Sequence, residues 1–276
     1  MPYFTIFTPA YNCATTIHRV VESISAQTFR DFEWIIINDG STDNTSAILN
    51  RIKTDNTDLN IILLEQPNGG KHSAWNKAVS FARGKIFVPA DADDSFVPES
   101  LEFFHDKWEG FTANIQQKLS GISVLCYDND SSDIKGSPFP GDGLFTNVIE
   151  LSYKYKTSGE KWGCVRTDLL KKLPFPNVDL EKVYYPEGYL WISLAINYKL
   201  VCYNKPLRRY YTTPTGLMQT LKKPTYNQSV MNIKFKLWLI WKIGFYMLIH
   251  SPKDFLSNLY SLSLDMIFLI KSPSNK

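Results

Sequence analysis

Four short runs of β-branched and aromatic residues, Tyr3 to Thr8, Glu33 to Asn38, Asn60 to Glu65 and Lys85 to Pro89, alternate with stretches of helical periodicity. This alternation constrains the chain more than any other feature. Short strands separated by helical crossovers pair in parallel, and a parallel sheet needs helices on its faces. Ala14 to Gln27 sets Ile17, Val20, Val21 and Ile24 at helical spacing, and Asp43 starts a second helix as its N-cap, with Ile48, Leu49 and Ile52 on one face. Lys71 to Arg83 and Pro98 to Trp108 complete the series, Pro98-Glu99 being a helix opening.

Just beyond each strand lies a polar or glycine-bearing segment: Thr8-Pro9-Ala10-Tyr11-Asn12, Asn38-Asp39-Gly40-Ser41, Gln66-Pro67-Asn68-Gly69-Gly70 and Ala90-Asp91-Ala92-Asp93-Asp94. Open parallel sheets bind ligands at the carboxyl ends of their strands, so these segments are expected to converge on one edge. Further on the pattern is mixed. Ile122 to Tyr127, Glu160 to Arg166, Lys199 to Tyr203 and Leu207 to Thr212 read as strands, and Glu187 to Tyr198 as a helix with Leu190, Trp191, Leu194 and Ala195 on its apolar side. Asp128 to Gly143 is a loop long enough to suggest a mobile or functional segment rather than a packed one.

The chain has 276 residues, 44% hydrophobic and 21% charged, which suits one large folded body with an appendage. A net charge of +3 with no long Lys/Arg run argues against nucleic acid as a partner. Cys13, Cys126, Cys164 and Cys202 lie far apart, without metal-ligand spacing, and read as buried thiols of a cytosolic protein. The opening Met-Pro-Tyr-Phe-Thr-Ile has neither a basic n-region nor a cleavage site, so no cleaved signal is expected. The basic excess is confined to Thr220 to Lys276, where eight lysines face two aspartates. Leu237 to Ile249 is apolar except for Lys242 and Gly244, too short to span a bilayer. It is read either as lying on a membrane surface or as packing on the body or a partner; Lys234, Lys236 and Lys242 form no single charged face.

The segments Ser23-Ile24-Ser25-Ala26-Gln27-Thr28 and Phe32-Glu33-Trp34-Ile35-Ile36-Ile37-Asn38-Asp39-Gly40-Ser41-Thr42-Asp43, taken with Thr8 to Asn12, Asn68-Gly69-Gly70-Lys71-His72 and Asp91-Ala92-Asp93-Asp94, resemble the N-terminal signature of glycosyltransferase family 2. Five linked motifs in the correct order over residues 3 to 110 make the resemblance specific. The remainder matches loosely, through Glu160 to Arg166 and Pro186-Glu187-Gly188-Tyr189. The resemblance implies a GT-A fold: a Rossmann-like, mostly parallel α/β sheet flanked by helices, here with a C-terminal helical appendage. It also implies inverting transfer of a sugar from a nucleotide diphosphate, with Thr8, Pro9 and Tyr11 at the nucleotide, Asp91 facing the ribose and Asp93 as metal ligand.

The residues agree with this chemistry. A carboxylate at Asp39 can accept the N3 hydrogen of uracil, which favours UDP or dTDP sugars, although guanine offers a comparable N1 hydrogen. Tyr11 can stack on a base or pack in the core. Three carboxylates within Asp91 to Asp94 call for a cation, and oxygen ligands suit Mn²⁺ or Mg²⁺. Asp94 is read either as a support behind the metal-binding carboxylate or as a cap for the helix that follows, with the cap preferred. Lys71, after two glycines at a helix start, is placed to meet the nucleotide phosphates. Glu187, at another helix start, is the expected base for the acceptor hydroxyl; relatives often read Glu-Asp where this chain reads Glu187-Gly188. Arg208 and Arg209 are candidates for the diphosphate, and Trp162 and Trp191 for either the acceptor pocket or the core. His18, His72, His105 and His250 lack partners at metal-ligand spacing.

The reading is therefore a metal-dependent glycosyltransferase that takes a nucleotide-sugar donor and a glycan or lipid-linked acceptor in cell-surface polysaccharide synthesis. It is expected in the cytoplasm, and peripherally on the inner face of the membrane only under the membrane-surface reading of the tail. Residues 1 to 219 form the GT-A unit, with a nucleotide-binding half to residue 110 and an acceptor half from 111, and residues 220 to 276 the basic tail. A nucleotidyltransferase and a catalytically silent sugar-nucleotide binder are the alternatives.

Overall fold

The computed structural model describes residues 1–176, 183–212 and 225–271. In its first half, β1 (Phe4–Ala10), α1 (Ile17–Ser25), β2 (Phe32–Asn38), α2 (Thr45–Asp55), β3 (Ile61–Glu65), α3 (Lys71–Phe81) and β4 (Ile86–Pro89) alternate as the sequence predicts. Side chains alternate across the pleat, so each strand feeds two cores. Phe4, Ile6, Phe32, Trp34, Ile36, Ile86 and Val88 pack with α1 and α2 on one face, while Phe7, Ile35, Ile37 and Phe87 meet Trp75, Ala78 and Val79 of α3 on the other.

The order of these strands is β3-β2-β1-β4, all parallel. The chain winds outward from β1 to β3 and then returns to β1's other side, so the winding reverses between β1 and β4. Such a reversal opens a crevice at the carboxyl ends of the strands. The register brings Ala10 opposite Asn38 and Phe7 opposite Pro89, which delivers the segments after β1, β2 and β4 to that edge. Asn12 knits the first two together: its side-chain oxygen accepts the Thr42 N–H at 2.8 Å, and its own N–H donates to the Ser41 hydroxyl at 3.1 Å.

The sheet continues through β5 (Ser95–Phe96), β6 (Leu119–Asp128), β7 (Leu144–Thr146), β8 (Lys161–Arg166) and β9 (Lys199–Tyr210). Antiparallel β8 joins β4 to β6, and β6 pairs in parallel with β9. Helices α4 (Ser100–Glu109), α5 (Ala113–Lys118), α6 (Thr167–Leu170) and α7 (Gly188–Asn197) connect them. Two expectations are corrected here. The segment 199–212 holds one strand, β9, because a register shift opposite Val124 and Leu125 absorbs Asn204 and Lys205 without ending the pairing. The loop 128–143 is packed: Phe139 is buried with Leu125, Leu151 and Cys202, and the Asn204 side chain bonds both its N–H and its carbonyl. The four cysteines are free and buried.

Beyond the sheet, α8 (Tyr226–His250) and α9 (Pro252–Lys271) form a helical hairpin. Leu239, Ile243 and Met247 of α8 pack on Ile149, Ile192 and Ala195, so one face of the tail rests on the body. No described helix is long and apolar enough to cross a membrane. The expected start of the tail at residue 220, with Lys222, Lys223 and Lys276, lies outside the described residues.

Candidate active site

The second strand end places Asp39 beneath the loop that enters α3. Its carboxylate accepts the Gly69 N–H at 2.9 Å, the Gly70 N–H at 2.8 Å and the Gln66 amide at 2.7 Å. A carboxylate has about four acceptor positions, so one remains, on Oδ2. The loop can close this tightly because Gly70 sits at φ +81° and Gly40 at φ +70°, and a Cβ at Gly40 would lie 2.7 Å from the Asn68 nitrogen.

Gly70 leads into Lys71, whose ammonium lies 2.8 Å from Asp91 Oδ1 and 2.8 Å from Glu187 Oε1. One lysine thus ties the end of β4 to the start of α7, and the Asp39 cradle adjoins it in the chain. Burial by itself would lower the Lys71 pKa, but the Asp91 and Glu187 carboxylates outweigh it and hold it above the ordinary lysine range. Burial likewise favours neutral Asp91, yet Lys71 and Arg208 outweigh it and keep the carboxyl down at about 2. Glu187 occupies the N-cap position of α7, with its side chain 36% exposed, so the carboxylate is open to a ligand while held by Lys71.

The acidic segment is braced from behind. Arg208, nearly buried in β9, donates to Asp94 through Nε at 2.7 Å and through Nη2, and reaches Asp91 at 3.1 Å. The Tyr211 N–H donates to Asp94 at 3.1 Å. This corrects the capping role expected of Asp94: strand β5 intervenes, α4 begins at Ser100 with Glu99 at its N-cap, and Asp94 is instead a buried ion-pair partner. Burial pushes the Asp94 carboxyl upward, Arg208 opposes it, and the charges of Asp91 and Asp93 add to the rise. Breaking one side of a buried pair costs about 3–5 kcal/mol, so Arg208→Met should lower the unfolding free energy by that order. A denaturant midpoint equal to the parent's would show that the pair has no structural weight.

The remaining candidates divide. Tyr11 is exposed, at the rim of the crevice, which removes core packing as its role, and Pro9 is half-buried. The Thr8 hydroxyl faces the core and accepts the Trp34 indole N–H at 2.9 Å, leaving only its backbone toward a ligand. Trp162 is a core residue, stacked on Phe96 and donating to the Pro89 carbonyl, and Trp191 packs edge-on against Trp75. Arg208 is engaged by carboxylates, and exposed Arg209 lies over the Tyr127 ring. His72 packs against Tyr185 and Phe175. Sequence reasoning missed Arg19 in α1: it donates to the Asp93 carbonyl at 3.0 Å, and its guanidinium stacks 4.1 Å over the Tyr211 ring.

Four carboxylates here, Asp91, Asp93, Asp94 and Glu187, face two cations, Lys71 and Arg208. Among the described residues Asp93 alone of the four forms no ion pair, and burial followed by the Asp91 charge raises its pKa. A divalent cation fits this donor set. No cluster of three or more protein ligands is assembled among the described residues, so Asp93 is the carboxylate that would hold a cation here.

The arrangement, an acidic strand end beside a helix start at the reversal point of the sheet, is that of a ligand site in an open α/β fold. Residues 5–133 match the family model for glycosyl transferase family 2. A UDP-Glc:alpha-D-GlcNAc-diphosphoundecaprenol beta-1,3-glucosyltransferase of Escherichia coli, WfaP, is 39% identical over 200 residues, covering 70% of this chain and 70% of that protein. The chain belongs to glycosyl transferase family 2. A chondroitin synthase of Pasteurella multocida is 45% identical over 102 residues, 37% of this chain and 10% of the synthase, so the chain spans a small part of that longer relative. Among solved structures, S. aureus TarS 1–349 in complex with UDP-GlcNAc superposes with a TM-score of 0.64 at 20% identity, over 86% of this chain and 66% of that TarS 1–349 chain, a likeness of fold. Family membership sets the nucleotidyltransferase alternative aside.

Proposed function

We propose that the protein transfers a sugar, with inversion, from a UDP-sugar to a lipid-linked or glycan acceptor in polysaccharide synthesis, assisted by Mn²⁺ or Mg²⁺. The observation that carries the proposal is the Lys71 bridge, 2.8 Å to each carboxylate, which joins a nucleotide-side aspartate, Asp91, to an acceptor-side glutamate, Glu187. TarS was solved with UDP-GlcNAc and WfaP is named for UDP-Glc and a diphosphoundecaprenol acceptor, which supports the donor and acceptor classes.

In this reading the free Oδ2 position of Asp39 accepts the uracil N3–H, exposed Tyr11 stacks on the base and Asp91 faces the ribose. Thr8 and Pro9 contribute backbone to the same wall. Lys71 turns its ammonium toward the diphosphate as the donor enters. A divalent cation would be held by Asp93 and would supply positive charge beside the leaving group. Glu187 takes the acceptor hydroxyl proton as that oxygen bonds to the anomeric carbon, and the bond to the diphosphate breaks with its electron pair leaving on the nucleotide. One displacement inverts the anomeric centre. A lipid-linked acceptor places the reaction at the inner face of a membrane.

A panel of UDP-, dTDP- and GDP-sugars, assayed with Mn²⁺ and a diphospholipid-linked sugar acceptor, tests the proposal. Fastest turnover with a UDP-sugar is expected. Preference for a GDP-sugar would overturn the base assignment, and binding without turnover on any donor would favour a silent binder.

A further inference from the structure

The hairpin has a second face. On α8, Leu237, Trp241, Phe245, Leu248 and Ile249 are exposed at steps of three and four, the side opposite Leu239, Ile243 and Met247. On α9, Leu256, Leu259, Tyr260, Leu264, Met266, Ile267 and Ile270 repeat the pattern. Trp241 is 75% exposed, Phe245 78% and Ile270 81%, so these are not edges of a core. Lys236 of α8 pairs with Asp265 of α9 at 2.5 Å, so the second helix returns along the first and the two stripes belong to one hairpin. Exposed apolar surface on this scale marks an interaction site.

The charges say what covers it. Both described carboxylates of the hairpin are neutralised, Asp265 by Lys236 and Asp254 by Lys156 of the body. Lys234, Lys242, Lys253 and Lys271 form no ion pair among the described residues. At roughly 100° per residue, Lys234 falls within the α8 stripe near its start and Lys242 at its margin, while Lys253 and Lys271 fall within the α9 stripe at its two ends. The absence of a single charged face in the sequence thus has a structural cause: Lys236, the one out of line, is the partner of Asp265. The Lys242 ammonium lies 4.0 Å over the Trp241 ring, a cation and an amphipathic ring side by side. Long lysine stems beside apolar residues carry their charge outward to a polar layer. A second copy of this chain would set four unpaired cations against four more, which disfavours self-association.

We infer that the α8–α9 hairpin docks on an anionic lipid bilayer, lying in the interface with Trp241, Phe245 and Ile270 among the acyl chains and Lys234, Lys242, Lys253 and Lys271 at acidic headgroups. This rests on the acceptor being membrane-borne for its purpose but not for its measurement, which uses neither donor nor acceptor. Co-sedimentation of the full chain with phosphatidylcholine vesicles, with and without phosphatidylglycerol, reads it directly. The expected result is strong binding only with phosphatidylglycerol, weakened by salt. The W241S/F245S pair and the change of Lys234, Lys242, Lys253 and Lys271 to Gln should each reduce partitioning by about tenfold or more. Hydrolysis of sugar nucleotide in solution and the unfolding midpoint should stay at parental values, which separates lost docking from misfolding. Equal binding by parent and lysine variant, equal binding to both lipid compositions, or a dimer abolished by W241S/F245S with no vesicle binding would overturn the inference.

Discussion

Glu187→Gln is expected to abolish most transfer while leaving donor binding intact. A positioned base contributes about 10²–10⁴-fold to such a step, so kcat should fall by that order and the donor KM by no more than a few-fold. The amide keeps the shape of the carboxylate and cannot take the acceptor proton. Lys71 retains its contact with Asp91 in the variant, so the nucleotide side of the site should hold together. Because Glu187 also sits at the N-cap of α7, a structural role must be separated from a chemical one. A glutamine there preserves the α7 backbone bonds from Leu190 and Trp191 N–H to the residue 187 carbonyl, so stability should change little. Unchanged kcat would remove Glu187 from the chemistry and leave it a helix-start residue.

Asp93→Asn is expected to have the second large effect, this time on the metal. Asp93 is the one of the four carboxylates that forms no ion pair among the described residues, and burial disfavours its charge. A divalent cation at this carboxylate would relieve both conditions. With the amide in its place the Mn²⁺ concentration needed for half-maximal activity should rise by about tenfold or more, since a neutral oxygen replaces one of few protein ligands. An unaltered Mn²⁺ requirement would place the cation elsewhere or dispense with it. Asn at this position leaves the Arg208 pairs with Asp91 and Asp94 in place, so a collapse of the segment is not the expected cause of any loss.

The first half of the molecule was legible because its signals are local. Buried strands as continuous β-branched and aromatic runs, helices of period 3.6 and glycines at turns each announce themselves within a few residues, and β2 ends at Asn38 as read. The convergence of strand ends followed from topology alone, and the contacts from Asp39 to Gly70 and from Lys71 to Asp91 and Glu187 are its detailed form. What stayed hidden depends on pairs far apart in the chain. Arg208 meets Asp94 across 114 positions, and Arg19 meets Asp93 across 74, and no periodicity marks either partner. Asp94 therefore read as a helix cap, the local explanation nearest to hand. The polar Asn204-Lys205-Pro206 broke the strand pattern for the same reason: only the Phe139 loop, folded over it, explains why the polar residues are there. The tail read ambiguously because one stripe packs and the other does not, and composition sums both.

Calorimetric titration of a UDP-sugar into the full chain, with and without Mn²⁺, addresses the central claim most directly: that Asp39, Asp91, Asp93 and Lys71 form one donor site completed by a cation. The expected result is binding that requires Mn²⁺ and that Asp93→Asn weakens by about tenfold or more at a fixed Mn²⁺ concentration. Equal affinity in both buffers, or Mn²⁺-dependent binding retained in full by Asp93→Asn, would contradict it.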